Sequence, residues 1–151
     1  MTLRERTEMQ ARDVMCPNPS VVTRNESVAR AATMMRERHV GVLPVIDDLR
    51  TRHLVGIVTA RDIVVRGVAA EDQGDRCIAD LMTQPPLAVV HVDDDVDDIM
   101  DVMNRERVRR LPVVDDRQRV VGIVALSDVT KRLYGRLRGA FHPGAIGHRD
   151  D

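Results

Sequence analysis

The chain has 151 residues, enough for one compact domain or two very small ones. Its 23 basic and 24 acidic residues leave a net charge of -1, so no long-range field draws it to a nucleic acid or an anionic membrane surface. One Phe, one Tyr and no Trp exclude a base-stacking platform for single strands and leave a core of Val, Ile, Leu, Ala and Met.

Residues 1–10 are polar and lack the apolar stretch of a secretion signal, and no apolar run approaches the ~20 residues of a membrane span. Two cysteines, Cys16 and Cys77, make no disulfide framework. A soluble cytoplasmic protein is expected. A brief strand is predicted near 21–22. Asn25-Glu26-Ser27-Val28 reads as a helix start, and the helix runs to about Arg38 with Val28, Ala31, Ala32 and Met35 on one apolar stripe. Strands follow at 42–46 and 54–58, joined by a hairpin loop over 47–52, and a second helix starts near Ala60. Glu71, Asp72, Gly74 and Asp75 mark 68–77 as a linker. The order then returns: a strand near 89–90, and a helix from Asp93-Asp94-Asp95-Val96 to about Arg105 with Val96, Ile99, Met100 and Met103 in its stripe. Strands at 110–114 and 120–124 and a last helix from about Leu126 complete it. The tail, 135–151, carries Gly139, Pro143, Gly144 and Gly147 and is expected to be flexible.

The return is a repeat in sequence as well as in pattern. Val40-Gly41-Val42-Leu43-Pro44-Val45-Ile46-Asp47-Asp48 reappears as Val108-Arg109-Arg110-Leu111-Pro112-Val113-Val114-Asp115-Asp116. Leu54-Val55-Gly56-Ile57-Val58 reappears as Val120-Val121-Gly122-Ile123-Val124, and Asp13-Val14-Met15 as Asp80-Leu81-Met82. Each copy reads β-α-β-β-α, about 60 residues, too small to bury much core alone, so the two copies must cover each other.

These blocks resemble the CBS motif. Asp-Val-Met and Asp-Leu-Met, the two Leu-Pro-Val blocks, and Gly56-Ile57-Val58-Thr59-Ala60-Arg61-Asp62 with Gly122-Ile123-Val124-Ala125-Leu126-Ser127-Asp128 carry the likeness, which spans roughly residues 11–134. The resemblance implies an α+β fold of two tandem CBS motifs, 11–67 and 78–134, packed as a pseudo-twofold Bateman module. It is similar to stand-alone CBS pairs of the hypoxic-response type. It further implies a non-enzymatic regulatory module that binds an adenine nucleotide (AMP, ADP or ATP) or an adenosyl compound in clefts between the motifs, and a homodimer. No cofactor is expected. The alternative is a stress-response or protein-interaction module of the same fold, with an unidentified protein partner and no physiological nucleotide. No nucleophile–base pair and no Walker-type phosphate loop suggests an enzyme.

Carried over by position, the resemblance gives a first cleft of Thr59, Asp62, Leu87, Ala88, Arg109 and Arg110, with Ser127 reaching the phosphate region. An aspartate there accepts hydrogen bonds from ribose hydroxyls, and paired guanidiniums take phosphate in a forked geometry. The second cleft joins Asp128 with Pro19 and Ser20. It departs from the pattern, because Ala125 replaces the threonine and Gly41 and Val42 replace the basic pair, leaving Arg61 to meet phosphate. The first cleft is therefore expected to bind more tightly. Simpler roles stand beside these. Asp62 and Asp128 suit helix capping, Arg109 and Arg110 continue a charged run with Arg105 and Arg107, Pro44 and Pro112 set strand geometry, and the methionines fill core. Cys16, Cys77, His39, His53, His91, His142 and His148 show no metal-ligand spacing. Asp93, Asp94, Asp95, Asp97 and Asp98 lack the glycine and distal glutamate of a calcium loop. Lys131, Arg132, Arg136 and Arg138 suit the negative end of a helix dipole.

Overall fold

A computed structural model describes residues 8–70 and 76–140. The middle of the expected linker, 71–75, and residues 1–7 and 141–151, including Pro143, Gly144, Gly147, His142 and His148, lie outside the described residues. The elements are α1 (Ala11–Val14), β1 (Cys16–Pro17), β2 (Val22–Thr23), α2 (Val28–Arg38), β3 (Val42–Ile46), β4 (Leu54–Thr59) and α3 (Ala60–Asp62), which runs on into a π-helical stretch (Ile63–Val68). The second half holds α4 (Ile78–Leu81), β5 (Val90–His91), α5 (Val96–Glu106), β6 (Arg110–Val114), β7 (Val120–Ala125) and α6 (Leu126–Ala140).

The α+β plan is the one the repeat implies, with local differences. Within the expected helix start 25–28, Ser27 is the residue that caps α2, its hydroxyl accepting from the Arg30 N–H at 3.1 Å. Both Asp-x-Met segments form short helices, α1 and α4. The Asp13 carboxylate accepts from the Gln10 N–H at 2.9 Å and Asp80 accepts from the Cys77 N–H at 3.1 Å, closing the open first turns. The last helix continues to Ala140, so residues 135–140 of the expected tail are helical.

Two sheets form, ordered β2-β3-β4 and β1-β7-β6-β5. The central strands β3 and β6 are buried along nearly their whole length, which is why both read as continuous apolar runs. Pro44 and Pro112, facing Ile57 and Ile123, donate no ladder hydrogen bond, and the register shifts beyond each, at Val45/Ile46 and Val113/Val114.

The sequence repeats are not the packing units. Ala11 and Val14 from the first repeat, with Met9 just before it, are buried in the core of the second sheet with Ile99, Leu111 and Val124. Ile78, Leu81 and Met82 from the second repeat are buried with Val22, Leu43 and Val58 under the first. Each fully buried Leu or Ile stabilises by roughly 1.5–3 kcal/mol, so the exchange ties the halves together. Matching backbone bonds reinforce it. The Ala11 and Arg12 amides donate to Asp94 and Val92, and the Ile78 and Ala79 amides donate to Glu26 and Arg24. Gly56 and Gly122 are required by the same exchange, since a side chain at either would collide with Met82 or Met15, laid across it by the opposite repeat. At the far end the hairpins meet, the Leu54 amide donating to Gln118 and the Val120 amide to Arg52.

Candidate nucleotide clefts

The exchanged segments create two clefts between the sheets. The Ile57 and Thr83 backbones exchange hydrogen bonds of 3.1 and 2.7 Å, and this bridge holds Thr83 against β4, ahead of Leu87 and Ala88. The resulting cavity, about 370 Å³, is lined by Gly41, Val42, Ile57, Thr59, Thr83, Leu87, Ala88, Val108, Arg109, Arg110 and Leu111. Thr59, Leu87, Ala88, Arg109 and Arg110 of the expected first cleft thus come together from both repeats. The lining is apolar apart from two threonines and the two guanidiniums, and it holds no carboxylate.

Asp62 is not among these lining residues. Its Oδ2 accepts from the Thr59 N–H at 2.9 Å while Thr59 Oγ1 accepts from the Asp62 N–H at 3.1 Å, a reciprocal cap that starts α3. Its Oδ1 lies 4.0 Å from Arg66 Nε, too far for a tight pair.

The second cleft arises by the equivalent route. Pairing of Cys16 with Ile123 and Pro17 with Gly122 lays 18–20 along β7. The cavity, about 360 Å³, is lined by Pro19, Ser20 and Asp128, and also by Cys16, Asn18, Arg38, His39, Val40, Val42, Arg110, Ile123, Ala125 and Ser127. Ser127 therefore lies in this cleft and not in the first, because the β7–α6 junction opens toward β1. Arg61 does not line it. It stands exposed on α3 of the other repeat. Its expected place is taken by Arg38, where the predicted helix ends, and by His39 next to it. His39 closes α2 in the left-handed conformation, φ 54°, as Arg107 does for α5. Among the described residues no hydrogen-bond or ion-pair partner is found for the Asp128 carboxylate. Val42 and Arg110 line both clefts.

Shifted carboxylates lie elsewhere, in the hairpin turns. Asp47 is held below the ordinary value by the Thr51 hydroxyl at 2.6 Å, with the Asp48 and His53 amides adding to it. Asp48 is lowered by the Thr51 and Arg50 amides. For Asp115, desolvation acts upward but is outweighed by hydrogen bonds from the Arg119 amide and side chain. Among the described residues no group of three or more His, Cys, Asp or Glu is placed to hold a metal ion, and no helix is long and apolar enough to cross a membrane.

The CBS domain family model matches residues 11–67 and 78–135. Hypoxic response protein 1 of Mycobacterium tuberculosis is 33% identical over 123 residues, covering 82% of this chain and 84% of that protein. The crystal structure of CBSX2 in complex with AMP superposes with a TM-score of 0.74 at 30% identity, covering 85% of this chain and 98% of that one; CBSX2 is a CBS-pair protein from Arabidopsis thaliana. The CBS domain pair of protein MJ0100, in complex with 5-methylthioadenosine and S-adenosyl-L-methionine, superposes with a TM-score of 0.72 at 32% identity, covering 84% of this chain and all of that one. With two family matches spanning most of its length and a fold that superposes on these pairs, the chain belongs to the CBS-domain proteins as a tandem pair, a Bateman module.

Proposed function

We propose that this chain is a non-enzymatic regulatory module of the cytoplasm that binds an adenine nucleotide, the first cleft taking the more anionic ligand. The observation that carries the reading is the lining of that cleft. An apolar lip of Leu87 and Ala88 suits a base, and Arg109 and Arg110, in a lining that includes no carboxylate, suit its phosphate. Its volume falls within the ~300–1,000 Å³ usual for small-molecule sites. A carboxylate has about four lone-pair positions. Asp62 is outside the lining but caps α3 against the lining residue Thr59, and the one position spent on the Thr59 amide leaves it able to accept from ribose hydroxyls at the edge of the cavity. The AMP and adenosyl complexes of the related pairs support the ligand class. Because the cleft draws on both repeats, a ligand that prefers one packing of the two sheets shifts the population toward it, which is the regulatory output. Val64, Val65, Val68, Tyr134 and Leu137, apolar side chains more than half exposed, support association with a second copy.

Titration calorimetry with AMP, ATP and S-adenosylmethionine tests the ligand and the site together. AMP is expected to bind the wild-type chain, and Arg109→Ala with Arg110→Ala is expected to weaken it by about 100-fold, the loss of two charge-assisted contacts. Asp62→Ala is expected to weaken it by a smaller factor. Equal AMP affinity in all three chains would remove this site from the account. A flat melting temperature across the nucleotide panel would favour the module without a nucleotide.

A further inference from the structure

We infer that Arg110 couples the two clefts, so that an anionic ligand in one weakens binding of a second anionic ligand in the other, while an uncharged adenosine compound escapes this antagonism. The inference rests on the nucleotide reading above and adds to it how the two sites regulate each other.

Val42 and Arg110 are the first residues of β3 and β6, at equivalent positions of the repeat, and they face Thr59 and Ala125 across their hairpins. Both residues line both clefts and so stand between them. A faithful duplication would put like residues there. Instead there is one aliphatic side chain and one guanidinium. Each cleft also has cations of its own, Arg109 in the first and Arg38 in the second, but the second also contains Asp128. A guanidinium carries a single positive charge, and a phosphate held bidentately neutralises it and draws the side chain to its own side. Once a ligand in the first cleft has taken Arg110, the second retains Arg38 offset by Asp128, with His39 as its remaining basic group. A second phosphate then enters a cleft with little net positive charge. An uncharged adenosine loses nothing, since its hydroxyls need only the Asp128 carboxylate.

Site-resolved NMR titration distinguishes the clefts through the Ala88 methyl in the first and the Ala125 methyl in the second. Gly41→Trp blocks the first cleft. Gly41 lines it, and a side chain there starts in open space. Leu87→Trp, on the opposite lip, provides an independent block. With its first cleft filled by AMP, the wild-type chain is expected to bind AMP in the second at least about fivefold more weakly than the blocked variants do, the lower end of ordinary site–site coupling. Adenosine in the second cleft is expected to show no such difference, and Arg110→Val is expected to abolish the AMP difference. Equal AMP affinities, or antagonism that persists in Arg110→Val, would overturn the coupling and leave the nucleotide reading intact. If AMP moved neither methyl, that reading would fail and the coupling with it.

Discussion

At the first strand–helix junction, Thr59-Ala60-Arg61-Asp62, hydroxyl and carboxylate close on each other's backbone amides. At the second, Ala125-Leu126-Ser127-Asp128, there is no hydroxyl to complete that cap, and the carboxylate lines the cavity. The charges differ in the same sense. The first cleft has two guanidiniums and no acid, whereas the second sets Arg38 and the shared Arg110 against Asp128. The backbone plan has been duplicated closely, down to the exchanged helices and the left-handed residues His39 and Arg107. The side chains that line the clefts have not. Fold and cleft lining have thus separated within one chain, with one aspartate committed to a cap and its counterpart lining a cavity.

The largest effects are expected from removing the private cation of each cleft. Arg109→Ala should weaken AMP in the first cleft by about tenfold or more and leave the second no weaker, and Arg38→Ala should do the reverse, as read by the Ala88 and Ala125 methyl signals. Parallel losses in both clefts from either variant would break the comparison. A smaller contrast concerns stability. Asp62→Ala removes a reciprocal cap and should cost about 0.5–2 kcal/mol in urea unfolding, whereas Asp128→Ala should stay within about 0.5 kcal/mol.

The smallest effect belongs to the hairpin turns. Asp47, Asp48 and Asp115 have folded-state pKa values below the ordinary 3.8. Their contribution is complete above the unfolded value and is lost as pH falls through the folded one. Melting temperature should therefore decline on acidification below about pH 4, and Asp47→Asn should shallow that decline without altering AMP affinity near neutrality. An unchanged acid limb in Asp47→Asn would refute the assignment.

Much of the fold was legible because hydrophobic periodicity is local. The stripes of α2 and α5, the paired strands and the two hairpin turns can each be read from a dozen residues. The exchange of α1 and α4 was not, since Ala11 and Val14 are apolar whichever sheet covers them, and no local pattern names the partner. The first cleft was largely legible through its strand ends and the Arg109-Arg110 pair. The second was misjudged in its basic residues. Neighbours on a helix project about 100° apart, so Arg61 diverges from the direction of Asp62. Arg38 and His39 lie at a helix end, where basic residues have an ordinary dipole role. The available signal was their position immediately before the Val40–Val42 strand entrance, the counterpart of the entrance where Arg109 and Arg110 were recognised.

A crystal structure of the chain grown with AMP at saturating concentration tests the central claim most directly. The account predicts the adenine against Leu87 and Ala88, the ribose near Asp62 and the phosphate on Arg109 and Arg110. An empty first cleft, or AMP bound there with its phosphate turned away from both arginines, would contradict it.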